Sequence, residues 1–156
     1  MFKYHIVLYQ PEIPPNTGNA GRLAVATDSV LHLIKPLGFS IDAKEVRRAG
    51  LDYWKHVQLI EHDDFEAFLA WRAQFEATTP LFLIETVRAQ SLYKATIPSR
   101  AIFLFGKETT GLPKTILDQF PNQVYDLPMY SPHIRSLNLA NTVSIVLYEA
   151  IRQQLV

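Results

Sequence analysis

The chain has 156 residues, 48% of them apolar and 12% aromatic, with 15 Lys and Arg balanced by 15 Asp and Glu, five His and no Cys. That length supports one domain with a full hydrophobic core, and the missing cysteines exclude a disulfide scaffold, a thiolate metal site and a cysteine nucleophile. No run approaches the ~18 apolar residues of a membrane span, the opening Met1-Phe2-Lys3-Tyr4-His5 reads as a strand rather than a signal peptide, and the cytosol is the expected compartment; zero net charge on its face argues against a nucleic-acid partner.

Short apolar runs rich in β-branched and aromatic residues alternate with helix-like stretches, the pattern of an α/β domain on a largely parallel sheet. In chain order the expected elements begin with a strand from Tyr4 to Tyr9, a helix from about Asn16, a strand from Val30 to Ile34, a helix from about Asp42 and a strand from Val57 to Ile60. A helix from Asp63 or Asp64, strands from Leu81 to Glu85 and Ala101 to Phe105, a helix from Pro113, a strand from Gln123 to Leu127 and a last helix from about Asn138 through Gln153 follow. Asp63-Asp64 ahead of Phe65, Phe68, Leu69 and Phe75 reads as a cap before an amphipathic face. The same stretch shows that neutrality is an average. Residues 61–76 hold five acidic side chains against Arg72 alone, which leaves the rest of the chain at +4, including a basic run of Lys44, Arg47, Arg48 and Lys55.

Pro and Gly gather at strand ends, at 11–21, 106–113 and 128–132, and ligands of open α/β sheets bind beyond the carboxyl ends of strands. In the first cluster Pro14 and Pro15 stiffen the entry to a helix, Asn16 can cap it, and Asn19 and Arg22 share one face. The spacing is neither GxGxxG nor a phosphate loop, so NAD or ATP binding is poorly supported. In the second, Gly106 directly follows a buried strand and permits close ligand approach, Glu108 sits mid-loop, Gly111 permits a positive φ, and Pro113 suits a helix start. In the third, Ser136 is placed to cap the last helix, Asn138 and Asn141 share a face, and Leu139, Val143, Val146 and Ala150 form an apolar stripe widened by Ala140, Leu147 and Ile151. A helix apolar on more than one side is deeply buried or sits in an interface. Each cluster also has a plainer reading, as a capped or buried helix with incidental polar residues.

His5, His32, His56, His62 and His133 are scattered, with no HExxH and no pair at helical spacing, so no metal site is expected. A GxSxG elbow is missing too, and neither metal nor covalent catalysis is suggested.

Together the clusters resemble the three motifs of the SpoU branch of the SPOUT RNA methyltransferases: Asn16-x-Gly18-Asn19-x-x-Arg22, then Leu104-Phe105-Gly106-x-Glu108-x-x-Gly111-Leu112-Pro113, then Leu127-Pro128-Met129 with Arg135-Ser136-Leu137-Asn138-Leu139-Ala140-Asn141. Within that branch, the opening from Ile6 to Asn19 and the block Arg47-Arg48-Ala49-Gly50-Leu51-Asp52-Tyr53 are similar to the TrmL (YibK-like) group, which 2′-O-methylates cytidine or modified uridine at the wobble position of tRNA. The likeness spans essentially the whole chain. It implies one SPOUT-type α/β domain over 1–156 without an appended RNA-binding domain, a carboxyl-terminal trefoil knot, a homodimer with active sites near its interface, and tRNA as partner, leucine tRNAs foremost. S-adenosylmethionine would be held by Ile84, Gly106, Leu127, Met129 and Ser136, without a metal. Arg22, supported by Asn16 and Asn19, would serve the reacting ribose, and Glu108, Ser136 and Asn138 would complete the site.

Methyl transfer from a sulfonium to a ribose hydroxyl is an in-line displacement with a neutral leaving group, so alignment and removal of one proton carry the rate. A guanidinium, with a pKa above ~12, is a poor proton acceptor; Arg22 either orients the hydroxyl and adjacent phosphate or acts as base when desolvated. The run at Lys44, Arg47, Arg48 and Lys55 is expected to contact phosphates. Another RNA substrate would keep the motifs and change the surface; a non-catalytic RNA-binding dimer would lose Arg22 or Asn138, and both are present.

Overall fold

Alternation along the strands decides the layering. In β1 (Lys3–Tyr9) the side chains of Tyr4, Ile6 and Leu8 enter one core and Val7 enters another, so the strand is covered on both faces. The same holds for β2 (Val30–Ile34), whose five residues are all buried, as expected of a central strand in a parallel sheet. The computed structural model describes residues 1–41, 52–86 and 89–155. It adds β3 (Gln58–His62), β4 (Leu81–Ile84), β5 (Gln90–Ser91), β6 (Arg100–Phe105) and β7 (Val124–Asp126) in one sheet of order β3-β2-β1-β6-β4-β7-β5, every neighbouring pair parallel. Helices α1 (Pro14–Ala26) and α4 (Leu139–Gln154) pack on each other, and Ala20, Ala24, Val143, Val146, Leu147 and Ala150 complete the core on that side. Helices α2 (Phe65–Phe75) and α3 (Lys114–Gln119) cover the opposite face through Phe65, Phe68 and Ile116.

The order of strands reverses beside β1: β2 and β3 extend to one side, and β6, β4, β7 and β5 to the other. Loops leaving the carboxyl ends of β1 and β6 therefore diverge from a crevice, the position at which open α/β sheets bind ligands. Register brings the ends together, with Leu8 beside Phe105, Phe105 beside Ile84 and Ile84 beside Tyr125.

Most expected elements are present with shifted ends. The third strand runs to His62, and β4 and β7 are shorter than expected. The expected helix from about Asp42, together with Lys44, Arg47 and Arg48, lies outside the described residues. Asp64 does cap α2, accepting the Ala67 N–H at 2.8 Å. Two capping expectations are corrected. Helix α1 starts at Pro14 without a side-chain cap, because Pro14 and Pro15 have no N–H to satisfy and Asn16 is already inside the first turn. Helix α4 is capped by Asn138, whose Oδ1 accepts the Asn141 N–H at 3.1 Å, and Ser136 stands outside it in an exposed loop. The apolar stripe of α4 is buried against its own chain, leaving Tyr148 exposed and Ile145 half-buried. Among the described residues no helix is long and apolar enough to cross a membrane.

Three histidines that look scattered in sequence meet on the α2 side of the sheet. His5 Nδ1 lies 3.0 Å from His32 Nε2, and His32 Nδ1 lies 2.9 Å from His62 Nε2. Trp71 packs edge-on against all three rings. At the far end His5 Nε2 stands 3.3 Å from Glu76 Oε1, a close polar contact with a carboxylate. An ionised carboxylate only accepts, so the row has one consistent assignment with each proton on Nε2. Burial pushes all three down: His32 to about 2, helped by its two histidine neighbours, His62 by burial, and His5 by burial against the opposing pull of Glu76. Burial also opposes the charged form of Glu76, but hydrogen bonds from Thr79 and Arg100 and the neighbouring His5 outweigh it and hold that carboxyl below its usual value.

Candidate active site

The crevice is built by three loops fastened to one another through side chains. Gln10, directly after β1, takes a left-handed φ of 45°, a turn that costs a non-glycine residue about 1 kcal/mol or more. Its side-chain oxygen accepts from Lys107 Nζ at 3.3 Å. Glu108 reaches from the loop after β6 to the start of α1. Its Oε1 accepts the Glu12 N–H at 2.9 Å, and its Oε2 accepts the Ile13 N–H at 2.6 Å and Asn16 Nδ2 at 3.3 Å. Glu12 returns the contact, accepting both the N–H and the hydroxyl of Thr109 at 3.1 and 2.7 Å. Those bonds hold Glu12 below its usual pKa, the Thr109 hydroxyl contributing most. Asn16 Oδ1 then accepts from Asn138 Nδ2 at 3.1 Å, which brings in the third loop.

Glycine is required where the second loop doubles back. A Cβ on Gly106 would lie 2.3 Å from the carbonyl carbon of Gly111, and Gly111 itself has a φ of +70°. Only a residue without a side chain permits both the fold-back and the left-handed turn. The Gly111 N–H donates to the Lys107 carbonyl at 2.9 Å and closes the loop on itself.

Between these loops and the ends of β4 and β7 is a cavity of about 720 Å³, within the range of small-molecule sites. Ile84, Gly106, Leu127, Met129 and Ser136, the five residues expected to hold a cofactor, all line it. So do Glu108 and Asn138. The lining combines the apolar Ile84, Phe105, Leu127 and Met129 with the polar residues of the glycine loop. That donor set suits an adenosine-like group held through backbone and apolar contact. Asn16 and Asn138 also line a second, open cleft, whose other side carries Asn19, Arg22 and Asn141. The Asn16–Asn138 pair is thus a wall shared by the cavity and the cleft. Arg22 and Asn19 are exposed there, and the Arg22 guanidinium lies 5.6 Å from the centroid of the Tyr53 ring, close enough for a cation–π contact.

Every residue expected in the site therefore lies in one of two adjoining spaces, but in unlike roles. Both oxygens of Glu108 are occupied in fastening the β6 loop to α1. Ser136 makes its place in the cavity wall from a loop and not as a helix cap. Sequence reasoning missed Glu12 and Thr109, whose contact spans 97 positions, and Glu85, which follows the apolar run of β4 and lines the cavity. A carboxylate immediately after a buried strand was the available signal for Glu85. Among the described residues no group of His, Asp and Glu is arranged to hold a metal ion.

Comparison with known proteins gives the family. The model of the SpoU rRNA methylase family matches residues 3–148. A tRNA (cytidine(34)-2′-O)-methyltransferase of Burkholderia cenocepacia is 46% identical over 151 residues, covering 96% of this chain and 95% of its own. A solved structure concerned with the 2-OH methylation of C/U34 on tRNA superposes with a TM-score of 0.91 at 44% identity, covering 98% of this chain and 97% of that one. An AdoMet-bound rRNA methyltransferase from Sinorhizobium meliloti shares the fold, with a TM-score of 0.84 at 23% identity over 96% of this chain and 56% of its own. The chain belongs to the SpoU rRNA methylase family, a family of methyltransferases.

Proposed function

We propose that this protein methylates the ribose 2′-oxygen of the wobble nucleotide, cytidine or modified uridine 34, of tRNA, with S-adenosylmethionine as methyl donor. The observation that carries the reading is the shared wall: a cavity suited to the donor adjoins a cleft holding Arg22, with Asn16 and Asn138 between them. The position on tRNA rests on the relative named for cytidine 34 and on the neighbour concerned with C/U34. The donor rests on the cavity and on the AdoMet-bound relative of the same fold.

When bound, the cofactor supplies a methyl carbon activated by a cationic sulfur. The chain's part is alignment. Arg22, its guanidinium beside the Tyr53 ring, orients the hydroxyl and the adjacent phosphate through its fork of N–H donors. Asn16 and Asn138 would border the place where the ribose oxygen meets the methyl group, and Glu108 keeps α1, and so Arg22, in register with the cavity. The bound cofactor would give its methyl group to the ribose oxygen with its sulfur leaving neutral, and the open cleft would let the hydroxyl proton pass to solvent. Positioning of this kind supplies a large share of rate enhancement.

Two further features of the family reading belong to the proposal. Loops 106–113 and 127–138 with α4 are the segments that would form the trefoil knot, and residues of both loops line the cavity. A homodimer would cover the exposed Tyr148 of α4 and place each Arg22 cleft near the partner. Radiolabelled methyl transfer to bulk tRNA, followed by nucleoside mapping, tests the function, with leucine tRNAs assayed first. The expected product is 2′-O-methylation at nucleotide 34; its absence there, with transfer elsewhere, overturns the assignment of position.

A further inference from the structure

We propose that Glu85 is a positioning residue for the cofactor, a latch that joins the end of β4 to the glycine loop and holds the cavity in its binding shape. The inference rests on the reading of that cavity as a cofactor site. Glu85 follows Ile84 at the carboxyl end of β4, and its own N–H donates to the Tyr125 carbonyl at 3.0 Å, so its backbone is held by the sheet. Both side-chain oxygens are engaged. Oε2 accepts the Leu112 N–H at 2.7 Å and Oε1 accepts the Thr86 N–H at 2.8 Å. The carboxylate lies against Gly111, where a Cβ would fall 2.5 Å from Oε2. Gly111 thus has two reasons to be glycine, its left-handed φ and the space that the carboxylate occupies.

On this side the Leu112 side chain is buried in the core with Leu81 and Leu83, and among the described residues the returning half of loop 106–112 has few other hydrogen bonds there. Lys107, Glu108 and Thr109 bind it outward to the β1 loop and α1, and the bond from the Gly111 N–H to Lys107 is internal to the loop. Glu85 is the bond that draws the returning half of the loop toward β4, across the mouth of the cavity that Ile84, Gly106 and Leu127 line. A hydrogen bond to a charged acceptor is stronger than one between neutral groups. Without it, Leu112 N–H is left beside a buried side chain with no acceptor, and the loop relaxes out of the shape that presents its backbone to the ligand. The carboxylate therefore acts through the loop and not on the reacting atoms.

Isothermal titration of S-adenosylmethionine and S-adenosylhomocysteine into wild type, Glu85→Ala and Glu85→Gln tests the latch, with hydrogen exchange at the Leu112 amide as a readout independent of ligand. The expected result is a loss of tenfold or more in affinity for both ligands in Glu85→Ala, with faster Leu112 exchange. Glu85→Gln, which offers one acceptor oxygen in place of two, falls between. Kinetically, KM for the donor rises while kcat at saturating donor and KM for tRNA stay at wild-type values, a split that a general loss of structure would not give. Wild-type donor affinity in either folded variant, or Leu112 exchange unchanged in both, overturns the proposal. If the wild-type protein binds neither ligand, the cofactor reading fails instead, and Leu112 exchange alone decides whether the latch exists.

Discussion

Arg22 illustrates how a single exposed side chain acquires a fixed task. It lies on α1, nine positions after Ile13, whose N–H is bound by Glu108, and its guanidinium carbon lies 5.6 Å from the centroid of the Tyr53 ring. The helix sets where the side chain starts, and the ring offers its end a cation–π contact. A planar fork held in that way can donate to a ribose oxygen and a phosphate oxygen together, which an ammonium group on a flexible stem cannot do with the same geometry. Arg22→Lys keeps the charge and removes the fork. It is expected to lower kcat by about 100-fold in single-turnover methyl transfer to tRNA, the scale associated with misplacing a reacting group, while Tm moves little because the side chain is exposed. Near-wild-type turnover in Arg22→Lys would show that neither orientation nor proton removal by this residue limits the reaction.

At the scale of elements, the row from His62 to Glu76 ties β3, β2 and β1 to the residue that ends α2. All three histidines have folded pKa values below the ordinary 6.5. The unfolded chain therefore binds more protons as the pH falls through 6.5, and the stability contributed by the neutral row is present above that pH and lost below it. Glu76 and the cations Lys3 and Arg100, which face His5, shift the size of its share but not the sign. The free energy of unfolding in urea is expected to drop between pH 7 and pH 5, with a slope of up to about 1.4 kcal/mol per pH unit for each histidine involved. A flat profile across that interval would mean that the row takes up protons in the folded protein as it does in the unfolded chain. None of this was legible along the chain, because the row depends on the lateral register of three strands: His5 pairs with Val30, Val7 with His32 and Ile34 with His62. What was legible is what depends on near neighbours. The buried runs around Ile6, Leu31 and Phe103 mark strands because they are apolar on both faces, and Asp64 marks a helix start because its acceptor reaches a donor three residues on. Strand β5, two residues with Gln90 exposed, has no apolar pattern to find. Glu85 and Leu112 are 27 positions apart and meet only once the sheet has formed.

For the whole molecule, zero net charge is the sum of unlike regions. Part of the acidic excess at 61–76 is used inside the protein: Asp64 caps α2, and Glu76 binds Arg100 at 2.9 Å and contacts His5. Such carboxylates neutralise partners within the fold and do little to repel a polyanion approaching another face. The basic run that the sequence singles out is proposed as the charge that meets RNA; its Lys55 is exposed in the short turn at Trp54–His56, which packs on α1. Binding through a few placed cations predicts a definite salt dependence, since each phosphate neutralised releases counterions and contributes about 0.7 to the slope of log K against log salt for single-stranded RNA. Arg47→Ala combined with Arg48→Ala is expected to weaken tRNA binding at low salt and to reduce that slope by about 1.4, as two lost phosphate contacts require. Affinity for S-adenosylmethionine should stay at its wild-type value, because the residues proposed to hold it are Ile84, Gly106, Leu127, Met129 and Ser136. If tRNA affinity and slope are both unchanged, the basic run has no part in recognition, and the neutral average would then describe the RNA-facing surface as well as the chain.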